Sequence, residues 1–483
     1  MKYINLFLIL FIFSCSKDEE NVDASIYVQS ITINGSNITT GTTVQMTAEV
    51  LPANAHNKTI AWSSSDVAIA TISSSGLVTA LKNGKVIITA IAKDKNVIVA
   101  TKEITISSFP IGIGNSVEVS NSTELLQALS KINAGGTIIL NSGIYLLNAR
   151  INLTVSGTAQ NLITLKGKDG QGRPKLDFSV MSENSANQGI ILVADYWHIK
   201  GIDIFKAGDN GMQVKGNNNL IEFCTFSECA DTGLQLDSGA SNNTILNCDS
   251  FFNADSTQEN ADGFACKLTA GTGNKFIGCR AWQNLDDGWD GYLRGANNIE
   301  TTYENCWAIK NGYLKDGTKG NGDGNGFKTG GSDDKLLKHH AIFKNCIAVG
   351  NVFDGFDHNS NRGTVTLYNC SAYDNGKNYS FSTTNPLEKL IIKNCNVLGA
   401  FGSINATNLE VTNNSWQNGL VVTAADFESI DYNQLINPRK TDGSLPTVTF
   451  FKLKPGSGMI DKGVNVGLPF NGSAPDLGAF ESN

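Results

Sequence analysis

Residues 304–311 read ENCWAIKN, and residues 344–351 read KNCIAVGN, with cysteine and the closing asparagine in the same places. Working outward, EFCTFSEC, LNCDSFFN, IGCRAWQN, YNCSAYDN and KNCNVLGA extend the series. It begins at Cys224, Cys248, Cys279, Cys306, Cys346, Cys370 and Cys395, at intervals of 24, 31, 27, 40, 24 and 25 residues. Five residues after the cysteine stands asparagine in five copies: Asn253, Asn284, Asn311, Asn351 and Asn375. Aligned residues at irregular intervals point to a solenoid of parallel strands, because loops vary in length while the coil keeps its register. In such a coil cysteine acts as a small buried hydrophobe, and asparagine is expected as a turn residue that tolerates left-handed geometry. The chain has 10 cysteines, which also raises a metal site or a disulfide framework. No CxxC pair occurs, and stacked equivalent positions make a ladder instead of a tetrahedral cage. Rungs ~4.8 Å apart are within reach of an occasional disulfide; free, buried thiols are the expectation.

A second repeat runs in phase: DNGMQVK, DTGLQLD, ADGFACK, DDGWDGY, GNGFKTG and FDGFDHN. Aligned on Gly211, Gly233, Gly263, Gly288, Gly326 and Gly355, each copy turns into a strand whose next residue is large and apolar and faces the core. The residue after that points outward by the two-residue period of a strand. The outward row is Gln213, Gln235, Ala265, Asp290, Lys328 and Asp357. Asp290 and Lys328 therefore belong one above the other on adjacent rungs, ~4.8 Å apart. Asp262, Asp286 and Asp287 fall in the turns just before these strands. Four carboxylates drawn to one place repel one another unless a cation joins them, and an all-oxygen set suits a hard ion such as calcium.

Around this coil, 49 glycines and only 17 % charged residues in 483 favour turn-rich β structure in at least two domains. A formal charge of −8 offers no long-range attraction for nucleic acid or another polyanion, so an anionic partner needs local positive charge. Residues 1–14 read as an export signal, and IFSC ending at Cys15 resembles a bacterial lipobox. The acidic tether, residues 15–24, resembles the surface-export tag of Bacteroidetes lipoproteins, so an outer-membrane lipoprotein held at the cell surface through Cys15 is expected. Residues 25–107 alternate apolar and polar at period two and resemble the bacterial immunoglobulin-like group 2 module, with Trp62 as core aromatic. Residues 108–117 read as a linker, and residues 118–483 as the coil. One helix is expected at its start, capped by Asn121 or Ser122, with Leu125, Leu126, Leu129 and Ile132 on one face and Gly135 and Gly136 ending it.

The stretches ADGFACKLTAGTGN, CRAWQNLDDGWD, GDGNGFKTGG and FDGFDHNSN, with GKDGQGRPKLDFS and the closing PDLGAFE, resemble the pectate lyases of polysaccharide lyase family nine. The resemblance implies an all-β protein, a right-handed parallel β-helix with an N-terminal capping helix, beside the small immunoglobulin-like β-sandwich. It also implies Asp262, Asp286, Asp287 and Asp290 as calcium ligands and Lys328 as catalytic base. The run GYLKDGTKGNGD between the aspartates and the lysine is longer than the family pattern and is expected to reshape one wall of the groove.

That constellation suits β-elimination of a 4-linked uronide. Calcium and nearby donors neutralise the carboxylate beside a poorly acidic C5 proton, and a neutral amine removes the proton. Lys267, Arg294 and Arg362 are the candidate local bases for holding an acidic plant cell-wall polysaccharide, pectate, on a monomeric enzyme. Two other classes remain open on the residues. A glycoside hydrolase would use clustered aspartates as an acid and base pair without a lysine in register, and a non-catalytic adhesin would bind structural calcium. Within the lyases, rhamnogalacturonan, alginate or dermatan are alternative polymers.

Overall fold

A computed structural model of the protein describes residues 25–112 and 114–482. The expected signal and Cys15 lie outside the described residues. The chain divides into two compact units between Phe109 and Pro110, two residues into the expected linker. The first unit is all antiparallel: Ser30–Asn34 pairs with Thr47–Leu51, Leu77–Ala80 lies between Thr43–Gln45 and Ala70–Ile72, and Gly84–Ala92 lies between Ile60–Ser64 and Val99–Ile106. Its core gathers Ile33, Met46, Val78, Val86, Ile88 and Ile104, with Trp62 packed against the edge and only partly buried.

The second unit is a right-handed parallel β-helix. After Ser116–Val119, which pairs with the next strand Thr137–Leu140, each strand pairs with the strand three places on, so the chain winds through three parallel sheets of 12, 10 and 10 strands. One coil illustrates the rest: Asn274–Ile277 lies in the first sheet, Arg280–Trp282 in the second and Trp289–Asp290 in the third. The cysteines stand at the corner between the first and second sheets. Nine cysteines are free and buried among the described residues, and Sγ of Cys279, Cys306 and Cys346 each donates to a backbone carbonyl of the neighbouring coil.

The asparagines stand at the corner between the second and third sheets, and there the structure corrects the expected backbone. The left-handed residues are those just before them, Phe252, Gln283, Lys310, Gly350 and Asp374, and at the other corner those just before the cysteines, such as Asn305 and Asn345. The asparagines themselves are buried and bond to one another. Nδ2 of Asn253, Asn284, Asn311 and Asn351 donates to Oδ1 of the next asparagine at 2.8, 2.9, 2.9 and 2.7 Å. A side-chain amide carries both donor and acceptor, so one residue type repeats down the stack with every buried polar atom paired. A second, shorter ladder of Asn219, Asn243 and Asn274, unseen in the sequence, marks the corner before the first sheet.

Inside the third sheet the apolar residues stack face to face. Ring centroids lie 5.2 Å apart for Phe264 and Trp289, 4.7 Å for Trp289 and Phe327, and 5.1 Å for Phe327 and Phe356. The preceding glycine is required by close approach: a Cβ on Gly288 would lie 2.6 Å from the Gly326 carbonyl and 2.8 Å from Nδ2 of Asn311.

The capping helix is Ser122–Leu129, with Oδ1 of Asn121 accepting from the Glu124 amide at 3.0 Å. Leu125 and Ala128 are its buried residues and Leu126 faces solvent; the helix stops at Ser130, short of the glycines. Beyond Thr412 the chain leaves the coil and packs Phe427, Leu435, Phe450 and Leu477 against Trp307, Ile347 and Val349 of the second sheet. Asp249 anchors this segment, bridged by Arg280 and Arg439 at 2.7 Å each. Burial works to raise the Asp249 carboxyl, but the two guanidinium groups outweigh it and hold it below the usual range.

Asn311→Ala should destabilise the protein by roughly 3 kcal/mol, because it strands buried donors and acceptors on both Asn284 and Asn351 at ~1–3 kcal/mol each. Denaturant unfolding checks this; a loss under about 1 kcal/mol would mean that the ladder is dispensable.

Candidate active site

The outward row of the third sheet falls as expected from the repeat. Gln213 partners Gln235, Gln235 partners Ala265, Ala265 partners Asp290, Asp290 partners Lys328, and Lys328 partners Asp357. Asp262, Asp286 and Asp287 lie in the turns that lead into these strands. Oxygens of Asp262, Asp286 and Asp287 come within 4.8 Å of one another. Asp290 stands beside this trio, its Oδ2 3.4 Å from Nζ of Lys267 and its Oδ1 4.0 Å from Nζ of Lys328.

These carboxylates point away from the apolar core yet are nearly inaccessible: Asp287 is 0 % exposed, Asp262 2 %, Asp290 6 % and Asp286 9 %. Backbone and side-chain donors hold them. Oδ1 of Asp287 accepts from both the amide and Nδ2 of Asn325 at 2.9 Å. Oδ1 of Asp286 accepts from the Asp323 amide at 2.5 Å, and Oδ1 of Asp262 from the Asp287 amide at 3.2 Å. Oδ2 of Asp287 is buried without a hydrogen-bond donor; the nearest cation is Lys328 Nζ at 3.1 Å.

Burial raises the carboxyls of the trio. Asp286 is pushed up to about 7 by burial and then by Asp262, Asp287 well above the carboxylate range by burial and then by Asp286, and Asp262 upward by burial against the pull of Lys267. Asp290 goes the other way, since Lys328 and Lys267 together outweigh its burial. Burial alone would lower the Lys328 ammonium, but Asp287, Asp290, Asp286 and Asp323 hold it well above its ordinary value. Lys328 keeps its place on the row between Asp290 and Asp357, but its close carboxylate partners are Asp287 at 3.1 Å and Asp323 at 3.2 Å.

Of the three candidate substrate bases, the structure brings only Lys267 to the cluster, where Nζ lies 2.7 Å from Oδ2 of Asp262. Arg294 pairs with Asp333 at 3.2 Å on the exposed surface. Arg362 is half-buried and forms no ion pair among the described residues. Asp323 and Asn325 were missed from sequence. Asn325 occupies the place before glycine that Asp262 and Asp287 fill in their copies, so the repeat alignment could have found it; Asp323 lies in the loop between coils and has no repeat position. His339 backs the Asp290 strand. Burial pushes it down to about 4, so it is neutral, with Nδ1 donating to the Gly291 carbonyl at 2.9 Å and Nε2 accepting from the Thr301 hydroxyl at 2.8 Å.

The all-oxygen set, its close spacing and the buried Oδ2 of Asp287, which has only the Lys328 ammonium beside it, together fit a hard divalent cation. The profile of the Pel9A-like right-handed β-helix region matches residues 113–405, and that of the bacterial Ig-like domain (group 2) matches residues 27–102. The chain belongs to the Pel9A-like family. Among relatives of this Pel9A-like chain, "Pectate lyase L" of Dickeya dadantii (strain 3937) is 37 % identical over 375 residues, covering 74 % of this chain and 85 % of the relative. "Pectate lyase L" of Paenibacillus polymyxa (strain SC2) is 40 % identical over 364 residues, covering 70 % and 79 %. The crystal structure of pectate lyase Pel9A matches with a TM-score of 0.68 at 35 % identity over 74 % of this chain and 90 % of that one. A rhamnogalacturonan lyase matches at 0.63 and 26 % over 70 % and 96 %.

Proposed function

We propose that the protein is a calcium-dependent pectate lyase that cleaves 4-linked polyuronate by β-elimination, with Lys328 as the base. The carrying observation is a lysine amine on the outer row of a rigid sheet, its side chain 10 % exposed, 3.1 Å from a carboxylate in a trio spaced for a cation. Asp262, Asp286 and Asp287 would hold calcium, with Asp290 beside them. Calcium, when bound, supplies the positive charge that offsets a uronate carboxylate and makes the neighbouring C5 proton more acidic.

Lys328 Nζ takes the C5 proton, the electron pair becomes the C4–C5 double bond, and the bond from C4 to the glycosidic oxygen breaks with its electrons on that oxygen, which takes a proton from solvent or from the Lys328 ammonium; no net water is consumed. The aspartates around Lys328 keep it an ammonium as they stand, so a proton-accepting amine needs their charge taken up by another cation. Asn325 and the Asp323 amide fix Asp287 and Asp286, so the site has little reorganisation to make. A hydrolase lacks support of this kind, since the trio's closest companion is a lysine and not a second, separated carboxylic acid. Rhamnogalacturonan is the alternative polymer, favoured by the solved rhamnogalacturonan lyase with the same fold. Export through residues 1–14 and anchoring at Cys15 belong to the same proposal, because a cell-wall polymer is met outside the cell.

Incubation of the purified protein with polygalacturonate and rhamnogalacturonan, followed by ultraviolet absorbance of unsaturated uronides, tests this reading; saturated products would make the enzyme a hydrolase, and no turnover an adhesin. Lys328→Arg keeps the positive charge but cannot give up its proton. It should stay folded, bind calcium and lose product formation by about 10³-fold or more, in line with loss of a general base; near-normal turnover would refute Lys328 as base.

Asp287→Ala should weaken calcium binding and activity together while the coil stays folded, and chelation should abolish activity reversibly. Full activity in excess chelator would remove calcium from the reaction.

Protons compete with the cation for the raised carboxyls, so calcium affinity should fall as pH drops through about 7, where Asp286 takes up its proton. These raised carboxyls also lower stability as pH rises through their folded values, so calcium should raise Tm more at pH 8 than at pH 6. An equal gain at both would show that the trio does not ligate the cation.

A further inference from the structure

We propose that Lys267 is the resident counter-ion of the carboxylate site, a positioning residue that holds Asp262 and Asp290 and sets how tightly the cation is bound. The inference rests on the calcium reading above. Lys267 directly follows the strand Phe264–Cys266 and enters the site from the rung before Asp290, whereas Lys328 enters from the rung after it. Its Nζ lies 2.7 Å from Oδ2 of Asp262 and 3.4 Å from Oδ2 of Asp290. Oδ2 of Asp262 also accepts from the Thr232 hydroxyl at 3.1 Å, so this carboxylate is held from two sides before any cation arrives.

Asp290 is shared: one oxygen faces Lys267 and the other Lys328. The Lys267 side chain is only 16 % exposed, and its ammonium is spent on two carboxylates. Its effect is on charge. Asp262, Asp286, Asp287 and Asp290, with Asp323 beside Lys328, outnumber the two ammonium groups of Lys267 and Lys328, so the site is short of positive charge. Lys328 has chemistry to perform, and Lys267 has none in the proposed reaction. A cation entering among Asp262, Asp286 and Asp287 meets Lys267 as a fixed like charge and competes with it for Asp262. Lys267 thus keeps the empty site assembled and the filled site exchangeable.

A lysine that merely supported the fold would give the opposite result on removal, since loosening Asp262 would weaken the cation site. Isothermal titration of the chelator-stripped full chain with calcium chloride separates the two. Lys267→Met and Lys267→Gln should bind calcium about tenfold tighter or more, and Lys267→Arg within about threefold of the parent, as expected for a charge effect. Their calcium-free Tm should fall and the calcium-induced gain should grow. Equal or weaker binding by both neutral variants overturns the proposal. So does failure of both to fold with calcium present, because calcium should then take over the work of the missing ammonium. A parent protein that binds no calcium overturns the calcium reading itself, and the inference with it.

Discussion

Each coil of the helix can place its side chains only relative to the coil beneath it, and the buried asparagine ladder fixes that relation. Asn253, Asn284, Asn311, Asn351 and Asn375 each donate through Nδ2 and, from Asn284 onward, accept through Oδ1, so a coil that slid along its neighbour would leave several buried amides unpaired at once. The apolar stack fixes the same register independently. A slip of one residue in the third sheet would turn Lys328 and Asp290 into the core and Phe327 and Trp289 out of it.

The same strands that carry the charged row outward carry the aromatic stack inward. Trp289 and Phe327 lie 4.7 Å apart with their planes inclined by 17°, directly behind Asp290 and Lys328. Close-packed rings resist compression and sliding, so the carboxylates sit on a floor that does not yield to their repulsion. Buried like charges then stay concentrated, and the unfavourable energy that they carry becomes available to whichever cation relieves it. His339, locked as a neutral ring between Gly291 and Thr301, serves the same end from the side.

How much of this was legible depended on whether a residue belongs to the repeat. The cysteine and glycine series places Asp290, Lys328 and Asp357 on successive rungs, and the strand register matches that alignment. A two-residue period leaves no freedom once the glycines are aligned. The asparagine corner was located but its backbone was misjudged, because a repeat shows which residues are equivalent and not which of two turn neighbours is left-handed; the side-chain ladder claimed the asparagines and left that conformation to Lys310 and its equivalents. Leu126 was placed on the buried face of the capping helix on apolarity alone, and it lies exposed. Asp323 was illegible for a different reason: it reaches Lys328 from an irregular loop whose path depends on Asp286 and on contacts such as Asn321 with Gln258, outside any repeat.

An acidic chain of net charge −8 acting on a polyanion is a contradiction only if charge is averaged over the molecule. Away from the cluster Arg294 pairs with Asp333 on the exposed surface, and at the cluster Lys267 is held by Asp262 and Asp290. The nearest amine, Lys328, is itself surrounded by Asp287, Asp290, Asp286 and Asp323, which favour its protonated form. Such a site has no base at rest. In the proposed reaction, proton abstraction becomes available only when the charge of those carboxylates is offset, and the cation that offsets it would also give a uronate carboxylate something to bind. On that proposal, binding of the polyanion and activation of the amine are two consequences of the same local change in charge, which would require the carboxylates and the lysine to share one face of one sheet.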